Sequence, residues 1–404
     1  VCEIIDARRE ALLDDLRLHV GIPTGLNHRA GLDETRERFA SRLTALGARF
    51  ELVPGDPKPD WMLGSEVNAQ IPPAAVCRRT GGRDGLRPVL IAGHLDTVHD
   101  PEGRFRSLSV APDGKTATGP GCVDMKGGLV IAVAALEALE EAGIDASWTF
   151  LMNADEETGT YHSERALRTE AWGHAVGLAL EPALSGGELA IERVGSGQFM
   201  IEVTGRSAHV GREFEKGISA VTRLAECLVE VAKMPDPANG RIVSVGPLEG
   251  GAATNAVPDL ARAWGNARFP DAKAALEIVE RLTGLETAPG ELPSVEVHHS
   301  FNRPAKPLIP ATEKLALAAR AVAEDLGQEL PFKSTGGVCD GNILQDAGLP
   351  TIDTLGVRGG GLHTTDEWID LSSLVERCQL LAVLIMRLCR TDRTAGGVAV
   401  PDGR

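Results

Sequence analysis

Three consecutive acids, Asp155, Glu156 and Glu157, stand in the stretch NADEETGT (153–160), directly after the apolar run WTFLM. Like charges so close raise one another's pKa and cost free energy unless something positive sits among them. More candidates lie elsewhere. His94 and Asp96 share GHLDTV, Asp124 stands in GPGCVDMKGG, Glu181 in LEPA and His363 in GGGLHTTDEW. Taken singly, a His after a strand is a hydrogen-bonded loop residue, an Asp at a helix start is an N-cap, and a run of acids is a solvated face. Taken together, two His and these acids emerge at one edge of one predicted sheet, each after an apolar strand or a Gly-rich turn. Imidazole and carboxylate ligands suit zinc, with cobalt or manganese as alternatives. The set exceeds what one tetrahedral ion needs. It divides well between two divalent ions, each with one His and one terminal carboxylate, with one Asp bridging and a water between them. Paired metals lower the pKa of such a water and polarise a carbonyl. One acid of the run then binds metal, and a neighbour is free to take the water's proton.

The elements that must position these groups are legible as periods. RPVLIAGHLDTV (87–98), SWTFLMNADEE and HAVGLALEPA (174–183) read as buried strands ending in polar residues. MKGGLVIAVAALEALEEAG (125–143) reads as a long apolar helix with a Gly stop. Residues 3–20 and 32–47 read as two further helices, and ARFELVPG as a strand. Short apolar strands alternating with helices predict an α/β sheet covered on both faces, and ligands in such sheets collect at the carboxyl ends of strands. Near Gly195 the pattern changes to half-exposed alternation. GQFMIEVTG (197–205), a helix at 217–233, RIVSVGPLEGG, ARAWGNARF, a helix at 271–284 and SVEVHHSF predict an inserted α+β unit. FNRPAKPLIP (301–310), with three prolines, reads as a hinge back to the first domain. Helical stretches at TEKLALAARAVAEDLG and SSLVERCQLLAVLIMRLCR and a disordered tail, TDRTAGGVAVPDGR, complete the chain. The division is 1–194 and 303–404 for a catalytic metal-binding domain and 195–302 for the insert.

Bulk properties narrow the function. The chain has 404 residues, more than one core comfortably holds, and 41 basic against 57 acidic residues give −16 at neutral pH. That argues against a nucleic-acid or anionic-membrane surface. Seven scattered cysteines without a C-x-x-C pair argue against a disulfide framework and fit a reducing compartment, the cytoplasm. The N-terminus is charged and amphipathic rather than a signal peptide, and the missing initiator Met points to a trimmed start. No apolar run reaches the length of a membrane span.

At the quoted motifs the chain resembles the dinuclear-zinc metallopeptidase family of glutamate carboxypeptidase, acetylornithine deacetylase, succinyl-diaminopimelate desuccinylase and aminoacylase. The matching stretches, in the family's order, are GHLDTV, GPGCVDMKGG, NADEETGT, LEPA, GRSAHVG, GGAATNAVPDLARAWGNARFP and GGGLHTTDEW. Glutamate carboxypeptidase is the nearest branch, from Glu181 and the form of the last motif. The resemblance implies a zinc-exopeptidase-like sheet with a ferredoxin-like lid that also forms a homodimer. It implies that His94, Asp124 and Glu181 hold one metal and Asp124, Glu157 and His363 the other. Asp96 would accept a hydrogen bond from the far nitrogen of His94, and Glu156 would be the general base. His209, in GRSAHVG, would reach into the partner's site and stabilise the oxyanion. Asn255 and Arg268 would contact substrate, Arg268 as a carboxylate clamp, with Arg358 a second candidate for that task.

His99, His162, His298 and His299 have no such support and read as structural or surface. Cys122 and Cys339 flank the site loops without a base beside them. Where relatives show a run such as GGTDA, this chain has STGGVCDGN (334–342), a departure that bears on specificity rather than on metal chemistry. The expected activity is hydrolysis of an amide bond in a carboxylate-bearing small molecule, a peptide or N-acyl amino acid, by attack of a metal-bridging hydroxide. A carboxypeptidase releasing a C-terminal residue such as glutamate comes first. An N-acyl-amino-acid deacylase is the alternative, and a non-catalytic binding protein is the third reading.

Overall fold

The computed structural model describes residues 1–25, 28–65, 71–82 and 85–390. It opens with α1 (Cys2–Ala7) and α2 (Arg9–Val20), where the spacing predicts one helix. The break falls at Arg8, which pairs with Glu137 at 3.4 Å and with Glu141. Then come α3 (Arg29–Ala45), β1 (Arg49–Val53), β2 (Ala74–Arg79), β3 (Val89–His94), the short β4 (Ser109–Val110) and β5 (Thr116–Thr118), and α4 (Lys126–Glu141). β6 (Trp148–Asn153), α5 (Glu164–Ala171), β7 (Val176–Ala179) and β8 (Leu189–Arg193) follow. The next block is β9 (Gly195–Thr204), α6 (Ala220–Val231), β10 (Ile242–Gly250), β11 (Leu260–Phe269), α7 (Ala272–Thr283) and β12 (Ser294–Arg303). The chain returns through α8 (Pro310–Asp325), β13 (Phe332–Thr335), α9 (Asp340–Asp346), β14 (Thr351–Ile352), β15 (Gly359–Gly360), β16 (Trp368–Asp370) and α10 (Ser372–Arg390). The tail from residue 391, expected to be disordered, lies outside the described residues.

The main sheet runs β1-β2-β6-β3-β7-β14. β6, β3, β7 and β14 are parallel, and β1 and β2 are antiparallel additions at one edge. Both faces are covered, which is why the central strands read as continuous apolar runs. Val89, Ile91, Phe150 and Leu178 join one core with α2, α3, α4, α8 and α10, while Leu90, Ala92 and Leu151 point the other way, onto Leu167 of α5 and Ile343 and Leu344 of α9. β3 lies at the switch in strand order. The chain reaches its neighbour β6 through α4, then crosses to β7 on its other side, so the carboxyl end of β3 faces an open crevice.

The insert forms a second, antiparallel sheet in the order β10-β11-β9-β12. With α6 and α7 this is the βαββαβ order of a ferredoxin-like fold, and Phe199, Ile201, Leu224, Ala263 and Leu282 form its separate core. It touches the first domain at Trp61, whose carbonyl accepts Trp264 Nε1–H at 2.7 Å and whose ring stacks on His298.

The stretch expected to be a hinge is instead anchored. β12 continues to Arg303, and Lys306 exchanges backbone hydrogen bonds of 2.9 Å with Arg193 on the outgoing segment. Asn342 Nδ2 donates to the carbonyls of both Val194 and Pro304. Under this crossing Asp353, fully buried, lies 2.7 Å from Arg193 Nη2 and 3.1 Å from Lys306 Nζ. Burial alone would raise the Asp353 carboxyl, but the two cations outweigh it and hold it below its usual 3.8. Asp353→Asn would leave two cations buried without a counter-charge, so it should destabilise the chain by about 3–5 kcal/mol. A depressed folded pKa stabilises above the unfolded value and loses that contribution as pH falls through the folded one. The gap between wild type and Asp353→Asn in urea unfolding should therefore hold above pH 3.8 and narrow below it. A gap under about 1 kcal/mol at neutral pH would reject the role, since exposed pairs are worth that little.

Among the described residues no helix is long and apolar enough to cross a membrane.

Candidate active site

Each candidate ligand sits where a regular element stops. β3 is buried along its whole length up to His94, β6 ends two residues before Asp155, and Glu181 follows β7 by two residues. Asp124 lies in the turn before α4. His363 lies between β15 and β16 and adopts a left-handed backbone, φ 62°.

These separate stretches meet in one place. His94 Nε2 is 3.2 Å from Asp124 Oδ1 and 4.0 Å from Glu181 Oε1. His363 Nε2 is 3.6 Å from Asp124 Oδ2 and 3.2 Å from Glu157 Oε2. The five residues therefore form two groups that share Asp124, one carboxylate oxygen facing each His. Ligand atoms around a tetrahedral zinc with bonds near 2.0–2.1 Å lie roughly 3.3 Å apart, and the spacings here are of that size. Electrostatics agree. Burial raises Glu157 above the ordinary carboxylate value, and burial with neighbouring Glu156 does the same for Glu181. Asp124 and Glu157 pull His363 up to about 10. Negative charge packed this tightly in a dry site is what dications offset. The donor set fits divalent metal, and His94, Asp124 and Glu157 place ligand atoms within 4.8 Å of one another.

Asp96 lies beside the far nitrogen of His94 and serves a second segment as well. His94 Nδ1 lies 2.9 Å from the backbone carbonyl of Asp96 and 3.5 Å from its carboxylate. The carboxylate instead accepts the N–H groups of Glu156 (3.2 Å) and Glu157 (2.9 Å). Asp96 thus fixes the acidic turn through its carboxylate and the imidazole chiefly through its backbone carbonyl, the nearer partner for the ring.

Glu156 is buried and not within either group. Its Oε1 lies 2.8 Å from Arg303 Nη2, off the donor axis, so the contact is electrostatic rather than an aligned hydrogen bond. Arg303 Nη2 also donates to the Glu156 carbonyl (2.6 Å) and to Thr160 Oγ1. Burial pushes the Glu156 carboxyl up to about 8 against the opposing pull of Arg303, near the value a general base needs at neutral pH.

A cavity of about 870 Å³ opens over these groups. Asp124, Glu156, Glu157, Glu181 and His363 line it together with Arg193, Arg268 and Arg303. Arg268 Nη1 is buried with no hydrogen-bond partner, and burial, with Arg303 nearby, lowers its pKa. Lys58 and Leu63 wall the cavity from the segment held to the second sheet by Trp61.

Three expected residues are not brought in. His209 and Asn255 are exposed on the insert, joined by the Val210 N–H to Asn255 carbonyl bond of 3.0 Å, and neither lines the cavity of its own chain. Arg358 stands outside the cavity because Asp370 (2.7 Å), Glu376 (2.6 Å) and Ser372 (2.9 Å) occupy its guanidinium. Cys122 and Cys339 are buried, and burial pushes both thiols up, the reverse of an activated nucleophile. Arg303 escaped the sequence reading because its stretch looked like a proline-rich hinge. Its only signal was a charged residue at the end of a half-exposed strand.

Residues 90–387 match the peptidase family M20/M25/M40, and the chain belongs to that family. It is 29% identical over 315 residues to carboxypeptidase G2 of Pseudomonas sp. strain RS-16, covering 76% of this chain and 75% of that one. It is 33% identical over 316 residues to succinyl-diaminopimelate desuccinylase of Methylorubrum populi, covering 71% and 79%. The aminopeptidase PepT structure from Bacillus cereus superposes with a TM-score of 0.73 at 23% identity, over 95% of this chain and 99% of that one. The protein is therefore a metallohydrolase acting on amide bonds.

Proposed function

We propose that this protein is a carboxypeptidase that releases a C-terminal amino acid such as glutamate, with zinc as its metal. The carrying observation is Arg268, a half-buried side chain whose Nη1 is buried without a hydrogen-bond partner, in the cavity lined by Glu156 and members of both His–carboxylate groups. A planar fork of this kind suits a substrate carboxylate. Similarity to carboxypeptidase G2 supports the same reading.

His94, Asp124 and Glu181 would hold one ion and Asp124, Glu157 and His363 the second. When bound, such ions acidify a water and polarise the amide carbonyl. Glu156 takes the proton of the attacking water and delivers it to the leaving amine. Arg303 keeps that carboxylate oriented through the Glu156 carbonyl and side chain. Arg268 holds the substrate's carboxylate.

Similarity to a succinyl-diaminopimelate desuccinylase supports a second reading, since a succinyl group also offers Arg268 a carboxylate. A mass-spectrometric panel of N-acyl amino acids and dipeptides, varied on each side separately, distinguishes the two. The carboxypeptidase reading requires release governed by the C-terminal residue whatever the acyl group, and release governed by the acyl group overturns it. In the same panel Arg268→Ala should lower kcat/KM by about 10–100-fold, the scale of one charged hydrogen bond. Neutral substrates should be affected less, and an equal loss on both would reject the clamp.

The exposed His209 and Asn255 would complete the site of a second copy, His209 as an oxyanion donor. Mixing His209→Ala with Glu156→Gln should then restore part of the activity that each lacks alone. No recovery from a mixed dimer would refute the exchange.

A further inference from the structure

Glu367 lies four residues after His363, is 1% exposed, and touches no ligand side chain. Its carboxylate is nonetheless the most heavily engaged near the site. Oε1 accepts the backbone N–H groups of Val123 (2.9 Å) and Asp124 (3.0 Å). Oε2 accepts the N–H of Gly121 (2.8 Å) and lies 2.6 Å from His99 Nε2. Its backbone carbonyl accepts Gly119 N–H at 3.2 Å, and its own N–H reaches the Thr364 carbonyl at 3.3 Å.

Three stretches therefore converge on one side chain: the loop that leaves β3 after His94 and reaches His99; the turn that presents Asp124; and the loop that presents His363. The Asp124 turn leaves its N–H groups pointing away from any ladder, and buried backbone donors need partners. A carboxylate that takes three of them sets where the Asp124 backbone, and so its side chain, can sit. Partners of metal ligands matter in this way because a ligand displaced by a fraction of an ångström no longer meets the ion.

We infer that Glu367 is a positioning residue that holds the Asp124 turn to the His363 loop, with His99 as its fourth donor, and thereby sets the spacing of the two metal positions. The inference rests on the metal reading above. Glu367 binds no ion itself and moves no proton. Its chemistry is that of an acceptor for amide N–H groups.

The variants separate this role from simple burial. Glu367→Ala removes all four acceptor contacts. Glu367→Gln keeps one oxygen for Val123 and Asp124, and its amide can donate to His99 in the other tautomer, leaving only Gly121 unpartnered. The full chain, stripped of metal, is titrated with cobalt(II) and followed by calorimetry and by the visible spectrum of the bound ion. Cobalt affinity should fall about 10–100-fold in Glu367→Ala, with an altered spectrum, and by less in Glu367→Gln. Folding is checked by urea unfolding of the metal-free protein. A folded Glu367→Ala with wild-type affinity and spectrum overturns the inference. If that variant does not fold, Glu367→Gln decides, and wild-type affinity and spectrum there overturn it equally. A wild-type chain that binds no cobalt would instead sink the metal reading itself.

Discussion

Glu156→Gln should lower kcat by about 10³-fold or more while both metal positions still load. Gln has the shape of Glu but cannot accept the water's proton, and a positioned acid–base group contributes about 10²–10⁴-fold. The substitution spares the site around it. The turn stays fixed because Asp96 holds the N–H groups of residues 156 and 157. Arg303 keeps its bond to the 156 carbonyl. Glu156 is not one of the five residues grouped around Asp124, so metal content measured after dialysis should match wild type. KM should move little, since the side chain is spent on the reaction rather than on binding. A variant that keeps more than a tenth of wild-type kcat removes Glu156 from the base role. A variant that loses metal as well as activity reassigns it as a ligand.

Asp124→Ala should empty both positions. One oxygen of this carboxylate faces His94 at 3.2 Å and the other faces His363 at 3.6 Å, so no other residue serves both groups. Without it each ion keeps one His and one terminal carboxylate, too few for a stable zinc site. Loss of a shared ligand should exceed the 10–100-fold known for groups that only support a ligand. Metal analysis after dialysis should find neither ion, whereas His94→Ala and His363→Ala should each weaken one position more than the other. One ion retained at wild-type affinity in Asp124→Ala would show that Asp124 serves a single position.

The two effects differ in kind, which makes them a useful pair. Glu156→Gln removes a proton acceptor and leaves the charge-compensating ions in place. Asp124→Ala removes the ions and should therefore also change the metal-dependent stability, because anything that binds only the folded state adds stability in proportion to its affinity.

Much of this was legible before folding was considered. The strands β3, β6 and β7 are apolar runs that stop at polar residues, and period and stop signals are local. The same holds for α4 and for the change to half-exposed alternation at β9. β2, AAVCRR, was not read as a strand because its last residues, Arg78 and Arg79, look like surface. In the fold Arg78 meets Glu51 and Glu170 beside the sheet edge. α5 was missed because its apolar face is only Ala166, Leu167 and Ala171. Arg358 was misplaced for a related reason. A charged residue beside a Gly-rich loop looks the same in sequence whether it faces a ligand or is neutralised by Asp370 and Glu376.

By itself the sequence determined the chemistry available: which residue types stand at strand ends, and that their acids need cations. Hydrophobic periodicity and motif order suffice for that, since each depends on neighbours a few residues apart. Only the tertiary structure decided how close these groups come, that Asp124 faces both histidines, that Arg303 rather than Arg358 stands at the site, and that Asp353 pairs with Arg193 and Lys306 under the crossing between the two sheets. Most of those contacts join residues more than a hundred positions apart: Arg193 with Asp353, Glu156 with Arg303 and Asp124 with His363. A buried ion pair or a carboxylate on distant amides leaves no period in the chain. It exists only once burial removes water and makes each unpaired charge or N–H costly.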